Sequence, residues 1–133
     1  MAFKPLKYDN GMARMLKLAI SQTILKGDGL IDNGSGYLEA DAAGGEATEY
    51  VALEAVTTGA GATGEVLCVP ALRSGIRFEV DCSADLAEAQ KFLAYELKTV
   101  RTIDNETTAS DNGFVIEEIV YPLTAKKCIG YWR

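Results

Sequence analysis

The sequence predicts a mainly β protein: a small β-barrel or β-sandwich with an extended N-terminal arm and at most one short helix. Three observations carry this. Ile76, Phe78, Val80 and Cys82 alternate with Arg77, Glu79 and Asp81, the period-two pattern of a half-buried strand. About eight short strand-like runs follow one another at regular spacing, separated by Gly-rich turns, which is the signature of a barrel or sandwich. At 133 residues the chain suits one domain, with a core large enough to stand without disulfides or metal. The boundaries expected are an arm over residues 1–15 and a single β domain over 16–133.

Charge is unevenly placed. Residues 1–26 hold Lys4, Lys7, Arg14, Lys17 and Lys26 against Asp9 alone, a net of +4, and the remainder carries −10. An acidic body argues against nucleic acid, whose phosphates need a basic footprint. The basic leader is either a solvated terminus or a segment laid along an acidic protein surface. No apolar run is long enough for a signal peptide or a bilayer span, so no membrane is expected and synthesis in a cytoplasm is. Cys68, Cys82 and Cys128 are an odd number without zinc spacing, and all fall in apolar runs. They read as reduced core residues.

The elements follow in order. Residues 1–11 contain Pro5, Asn10 and Gly11 and read as an extended arm whose Phe3, Leu6 and Tyr8 are apolar enough to dock, on this subunit or on another. Residues 12–25 mix helical and alternating spacing, and their second half reads as strand through Leu16, Leu18 and Ile20. Residues 26–29 make a turn. Residues 33–36, Asn-Gly-Ser-Gly, make a tight reversal between strands beginning at Leu30 and Tyr37. Residues 42–47 read as a loop, and residues 49–56 as one strand with Val51, Leu53 and Ala55 on one face. After the central strand, Ser83, Asp85 and Glu88 mark a short helix over 84–90, followed by a strand over 92–98. Residues 101–112 read as an exposed polar loop. Residues 114–121 are the most β-prone run, with a bulge where Glu117 and Glu118 break the alternation and Pro122 at its end. Residues 126–133 form the last strand.

Two motifs invite chemistry and fail on context. Residues 59–64 satisfy G-x-G-x-x-G, but Glu65 to Pro70 reads as a strand where a dinucleotide site needs a helix. Asp104, Glu106 and Asp111 suggest calcium, but Thr108, Ala109 and Val115 stand where later ligands of an EF-hand loop belong. Histidine is absent, which removes the usual general base, triad member and metal ligand. No catalytic residue, cofactor or metal is expected. The reading is a binding protein, not an enzyme.

The layout of segments resembles that of tailed-bacteriophage head decoration proteins, also called cement or capsid-stabilising proteins. The resemblance runs through the arm, the Lys26-Gly27-Asp28 turn and the run Glu49-Tyr50-Val51-Ala52-Leu53-Glu54-Ala55-Val56. It continues through residues 76–80, through Gly113-Phe114-Val115-Ile116-Glu117-Glu118-Ile119, and into the ending Lys127-Cys128-Ile129-Gly130. It covers most of the chain and rests on segment order, with no invariant motif. It implies a protein without catalytic role, located on the capsid exterior of a virion. Such a protein partners the major capsid protein and itself, commonly as a homotrimer, and stabilises the expanded head against internal DNA pressure. Phe3, Lys4, Leu6, Lys7 and Tyr8 of the arm are then the expected capsid contacts. Tyr131 and Trp132 are residue types that more often close a core, with a subunit interface the open alternative. Two alternatives remain: another phage structural subunit (tail tube, head completion or fibre base), and a small ligand-binding β-barrel.

Overall fold

The computed structural model describes residues 3–41, 48–109 and 112–133. Thirteen strands make up nearly all of its regular structure. They are β1 (Lys4–Pro5), β2 (Arg14–Leu18), β3 (Thr23–Ile24), β4 (Gly29–Asp32), β5 (Leu38–Ala40), β6 (Tyr50–Ala52) and β7 (Val56–Thr57), then β8 (Gly64–Pro70), β9 (Phe78–Cys82), β10 (Ala94–Thr99), β11 (Thr102–Thr108), β12 (Phe114–Val120) and β13 (Lys127–Trp132). The expected β class holds, and its form is barrel. Helix is confined to three-residue 3-10 turns.

Two barrels are present. The first closes in the order β2-β5-β4-β6-β8. The second runs β9-β11-β10-β12-β13 and closes because β13 also pairs with β9, while β1 adds to the outer edge of β9. The short β3–β7 pair is a separate ladder that packs Ile24 and Val56 on the first barrel's core.

The barrels repeat one motif. With the five strands of each taken in chain order, the first and third are parallel and all other neighbours antiparallel. The register repeats too. Leu18 pairs with Leu38 as Cys82 does with Ile103, and Gly29 with Val51 as Ala94 does with Val115. Met15 pairs with Leu67 as Glu79 does with Ile129, and Val51 with Val69 as Val115 does with Tyr131. Equivalent residues stand 64 or 65 positions apart in the first four strands and 62 in the last. Bonds beyond the ladders recur as well. Ala19 N–H donates to the Leu38 carbonyl and Ser83 N–H to that of Ile103, both at 2.9 Å. Ala71 N–H donates to Glu49 at 2.8 Å and Arg133 N–H to Gly113 at 2.9 Å. One departure is a bulge in β11, where Asp104 pairs with Glu96 and Thr108 with Tyr95.

The two cores meet at the wall formed by β6 and β8. Alternation sends Ala52, Val66 and Cys68 into the first barrel and Val51 and Val69 into the core of the second. Polar contacts add to the junction. Gly29 N–H donates to the Val100 carbonyl at 3.0 Å, and the buried Asp28 carboxylate accepts from Arg101 Nη2 at 3.1 Å. Asp28 also takes Leu25 N–H at 2.9 Å, so the residue 26–29 turn is tied on both sides.

Several sequence expectations hold. Ile76, Phe78, Val80 and Cys82 are buried on one face, although β9 itself starts at Phe78. The hairpin at 33–36 forms between β4 and β5, with Gly34 and Gly36 at positive φ and the Asp32 carboxylate accepting both of their N–H groups at 3.1 Å. The bulge sits at Glu117, between Ile116 paired with Gly130 and Glu118 paired with Ile129. A strand, β8, does follow the residue 59–64 loop.

Others are corrected. The helix expected over 84–90 is a 3-10 turn at Glu88–Gln90. Leu86 N–H goes to the Leu123 carbonyl at 3.1 Å and Ala84 N–H to Asn105 Oδ1 at 3.0 Å, so tertiary acceptors replace helical ones. The loop expected over 101–112 contains β11, which buries Ile103 and Asn105 between polar neighbours. The strand expected over 49–56 breaks after Ala52, because the Glu54 carboxylate turns back to accept Leu67 N–H at 3.0 Å. Residues 42–47, read as a loop, and Asp111 of the calcium motif lie outside the described residues.

Of the two seats open to the arm, the structure takes the one on its own subunit. Lys4 pairs with Glu79 and Pro5 with Phe78, while Phe3 N–H donates to the Gly27 carbonyl at 3.0 Å. Phe3 is 1% exposed and its ring lies 5.5 to 6.2 Å from those of Trp132, Phe114 and Phe78. The basic leader is neither free nor reaching away. It is a sixth strand of its own chain's second barrel, and Arg14 and Met15, placed at its end, already belong to β2.

Candidate binding surface

The seven residues singled out from sequence divide by burial. Phe3 and Trp132 are both 1% exposed, and their rings meet at a tilt of 52° in the second barrel's core. Neither can offer its side chain to a capsid or to another subunit. The reason is physical: a core of this size gains most from its largest rings, and a chain end is free to supply them. Tyr131 is half-buried, and the Arg77 guanidinium lies 4.3 Å above its ring centroid. The face of Tyr131 is thus already used within the chain. Lys4, Leu6 and Lys7 are exposed and Tyr8 half-buried.

The arm and the first barrel together build a basic, apolar groove. Lys4, Pro5 and Tyr8 come from the arm, Lys26 from the turn that holds Phe3, and Leu53 and Leu67 from the wall between the barrels. Its volume is about 380 Å³. Two ammonium groups flank a floor of leucine and proline, a surface that suits an acidic segment with apolar side chains. Sequence reasoning found Lys4, Tyr8 and Lys26 by their place in the basic leader. Leu53 and Leu67 join them only because β1 folds back on β9.

Arg77 and Glu117 form the best-defined ion pair of the surface. Nε and Nη2 of Arg77 donate to the two carboxylate oxygens at 3.0 and 2.9 Å, a two-pronged contact. The β12 bulge brings Glu117 to this position. The Arg77 hydrogen bonds hold the Glu117 carboxyl below the usual carboxylate range, and burial opposes them. The folded value is depressed, so the pair's contribution is full above the ordinary Glu range and is lost as pH falls through the folded value. The Arg77 and Glu117 side chains are 40% and 33% exposed, so solvent screening limits the pair to about 1 kcal/mol at most. Glu117→Gln is expected to lower the urea midpoint slightly at pH 7, with the gap to the parent narrowing toward pH 3. A gap that stays constant across that range would contradict the pairing.

The thiols offer little nucleophilic chemistry. Burial pushes Cys68 up to about 11. A hydrogen bond with Cys82, whose sulfur lies 3.4 Å away, together with burial raises Cys128. Thiols so placed stay protonated at neutral pH. Among the described residues no group of three or more Cys, Asp or Glu side chains is arranged to hold a metal ion, and no helix is long and apolar enough to cross a membrane. Compared with known protein families and with curated proteins, the chain matches none.

Proposed function

We propose that this chain is a non-enzymatic structural protein of a tailed-phage virion, which binds the outer surface of the capsid and stabilises the expanded head. Its partners are the major capsid protein and, in a homotrimer, itself. The observation that carries the reading is the groove of Lys4, Pro5, Tyr8, Lys26, Leu53 and Leu67, exposed on an otherwise acidic body. A positive, apolar-floored surface on a negative protein orients its encounter with an acidic partner, and several copies on one oligomer multiply weak contacts into firm attachment. The arm serves by completing this surface. Phe3 anchors the arm in its own barrel, so in this reading the exposed Lys4 and Lys26 meet the capsid in place of a free arm.

The test is sedimentation with empty expanded heads, after the solution mass of the protein has been measured. A trimer that co-sediments at a fixed, saturable copy number is expected. Lys4→Glu combined with Lys26→Glu should weaken that binding at least about tenfold and leave the urea midpoint nearly unchanged, since both side chains are exposed. A protein that ignores heads would overturn the reading.

A further inference from the structure

The barrels are equivalent strand for strand, yet a cleft that is filled in the second is left open by the described residues in the first. In the second barrel, β11 pairs with β9 only at Asp81 and Cys82. The rest of that edge is taken by β1, with Lys4 opposite Glu79, Pro5 opposite Phe78, and Leu6 N–H bonded to the Arg77 carbonyl at 2.9 Å. Phe3 then enters the core and covers the Phe114 ring at 5.7 Å. The register maps Phe78, Glu79 and Phe114 onto Arg14, Met15 and Tyr50 of the first barrel. There β5 joins β2 only at Leu18. Among the described residues no strand lies along the edge from Arg14 to Lys17. A groove of about 530 Å³ lies there instead.

The groove has the parts that the filled cleft uses. Met15, the equivalent of Glu79, directs its backbone N–H and C=O to the open edge, because its partner Leu67 donates its own N–H to Glu54 and accepts Leu53 N–H at its C=O, so Met15 and Leu67 are a non-bonded pair. Leu16, Leu38 and Tyr50 supply an apolar floor. Tyr50 is half-buried where its counterpart Phe114 is fully buried, and Met15 is 54% exposed. The charge differs in a way that names the occupant: Asp32, Glu49 and Glu65 stand on the rim against Lys17 alone.

We propose that this groove is a strand-addition site, which takes an extended, basic segment of a partner protein bearing one aromatic or large aliphatic anchor. The segment pairs antiparallel with β2 through Met15, lays its anchor over Tyr50 and Leu16, and sets its cations against Asp32, Glu49 and Glu65. Main-chain bonds supply affinity and the anchor pocket supplies selection. The inference rests on the internal equivalence and stands apart from the capsid reading.

The probe is a synthetic peptide of residues 1–10 of this chain, the segment that seats in the equivalent cleft. It is titrated into the full-length, nitrogen-15-labelled protein at low salt. Saturable shifts are expected at residues 15–17, 38 and 50, with residues 78–82 unmoved. A peptide methylated on the Lys4 amide nitrogen should lose at least about tenfold in affinity, since that donor faces the Met15 carbonyl. Glu49→Gln with Glu65→Gln should weaken binding at least about fivefold, and the effect should vanish at high salt. No shift at millimolar peptide, shifts confined to residues 78–82, or equal binding by the methylated peptide would each overturn the proposal.

Discussion

Phe3→Ala is expected to lower the unfolding free energy by about 3–5 kcal/mol, the cost of removing a large ring from a packed core. Phe3 touches three other rings, and its backbone ties the arm to the residue 26–29 turn. The truncation leaves a void bounded by Phe78, Phe114 and Trp132, and weakens the anchoring of β1 on β9. Phe3→Leu keeps much of the volume and should cost less than about 1.5 kcal/mol. Urea unfolding followed by Trp132 fluorescence reads both. An alanine variant as stable as the parent would mean that the arm does not belong to the core. The same logic changes how the arm's function is tested. Deleting residues 2–11 removes Phe3, so lost head binding would report a damaged barrel; substituting Lys4 and Lys26 keeps fold and contact separate.

Gly130→Ala is expected to destabilise by about 3 kcal/mol, at the upper end for overpacking. A Cβ built at Gly130 overlaps the Val115 carbonyl oxygen and lies 2.8 Å from the Phe114 ring. The obstacle is largely backbone, held by the β12–β13 ladder, and cannot swing aside as a side chain does. The equivalent position in the first barrel is Cys68, which fits its thiol into the smaller core there. Comparing the urea midpoints of the two proteins checks the expectation. A Gly130→Ala variant within about 1 kcal/mol of the parent would show that β12 and β13 can part without loss.

Much of the fold is legible in the chain because local chemistry and tertiary demand agree. The alternation at residues 76–82, the Asn-Gly-Ser-Gly reversal and the paired glutamates each state a strand face, a turn and a bulge within a few residues. The rejection of a nucleotide loop rests on the same kind of local reading, since Val66, Cys68 and Val69 make β8 a strand.

The misread segments lack that local statement. Thr102–Thr108 has only Ile103 to mark an inward face, and its second inward residue, Asn105, is polar. Asn105 is tolerated inside because its amide donates to the Ala84 and Asp85 carbonyls and its Oδ1 takes Ala84 N–H. The Glu88–Gln90 segment has helical composition, but tertiary acceptors hold the chain around it, and Phe92 follows at φ 70°, outside the helical region. Of the candidate binding residues, Lys4, Tyr8 and Lys26 were legible as part of a basic leader. Leu53 and Leu67 were not, since nothing local says that they share a surface with it.

The sequence by itself determined the class of the protein: β, acidic with a basic leader, without histidine and with thiols in apolar runs. These follow from composition and period, which act over a few residues. Only the tertiary structure decided that there are two barrels of one design, and that one borrows its sixth strand from the arm. The repeat is nearly silent in sequence. Tyr50-Val51-Ala52 against Phe114-Val115-Ile116 is legible, but Arg14 stands for Phe78 and Cys68 for Gly130. Strand pairing is a contract between backbones, which any side chain of suitable size and polarity can honour. A register can therefore be kept residue for residue after the residues themselves have changed.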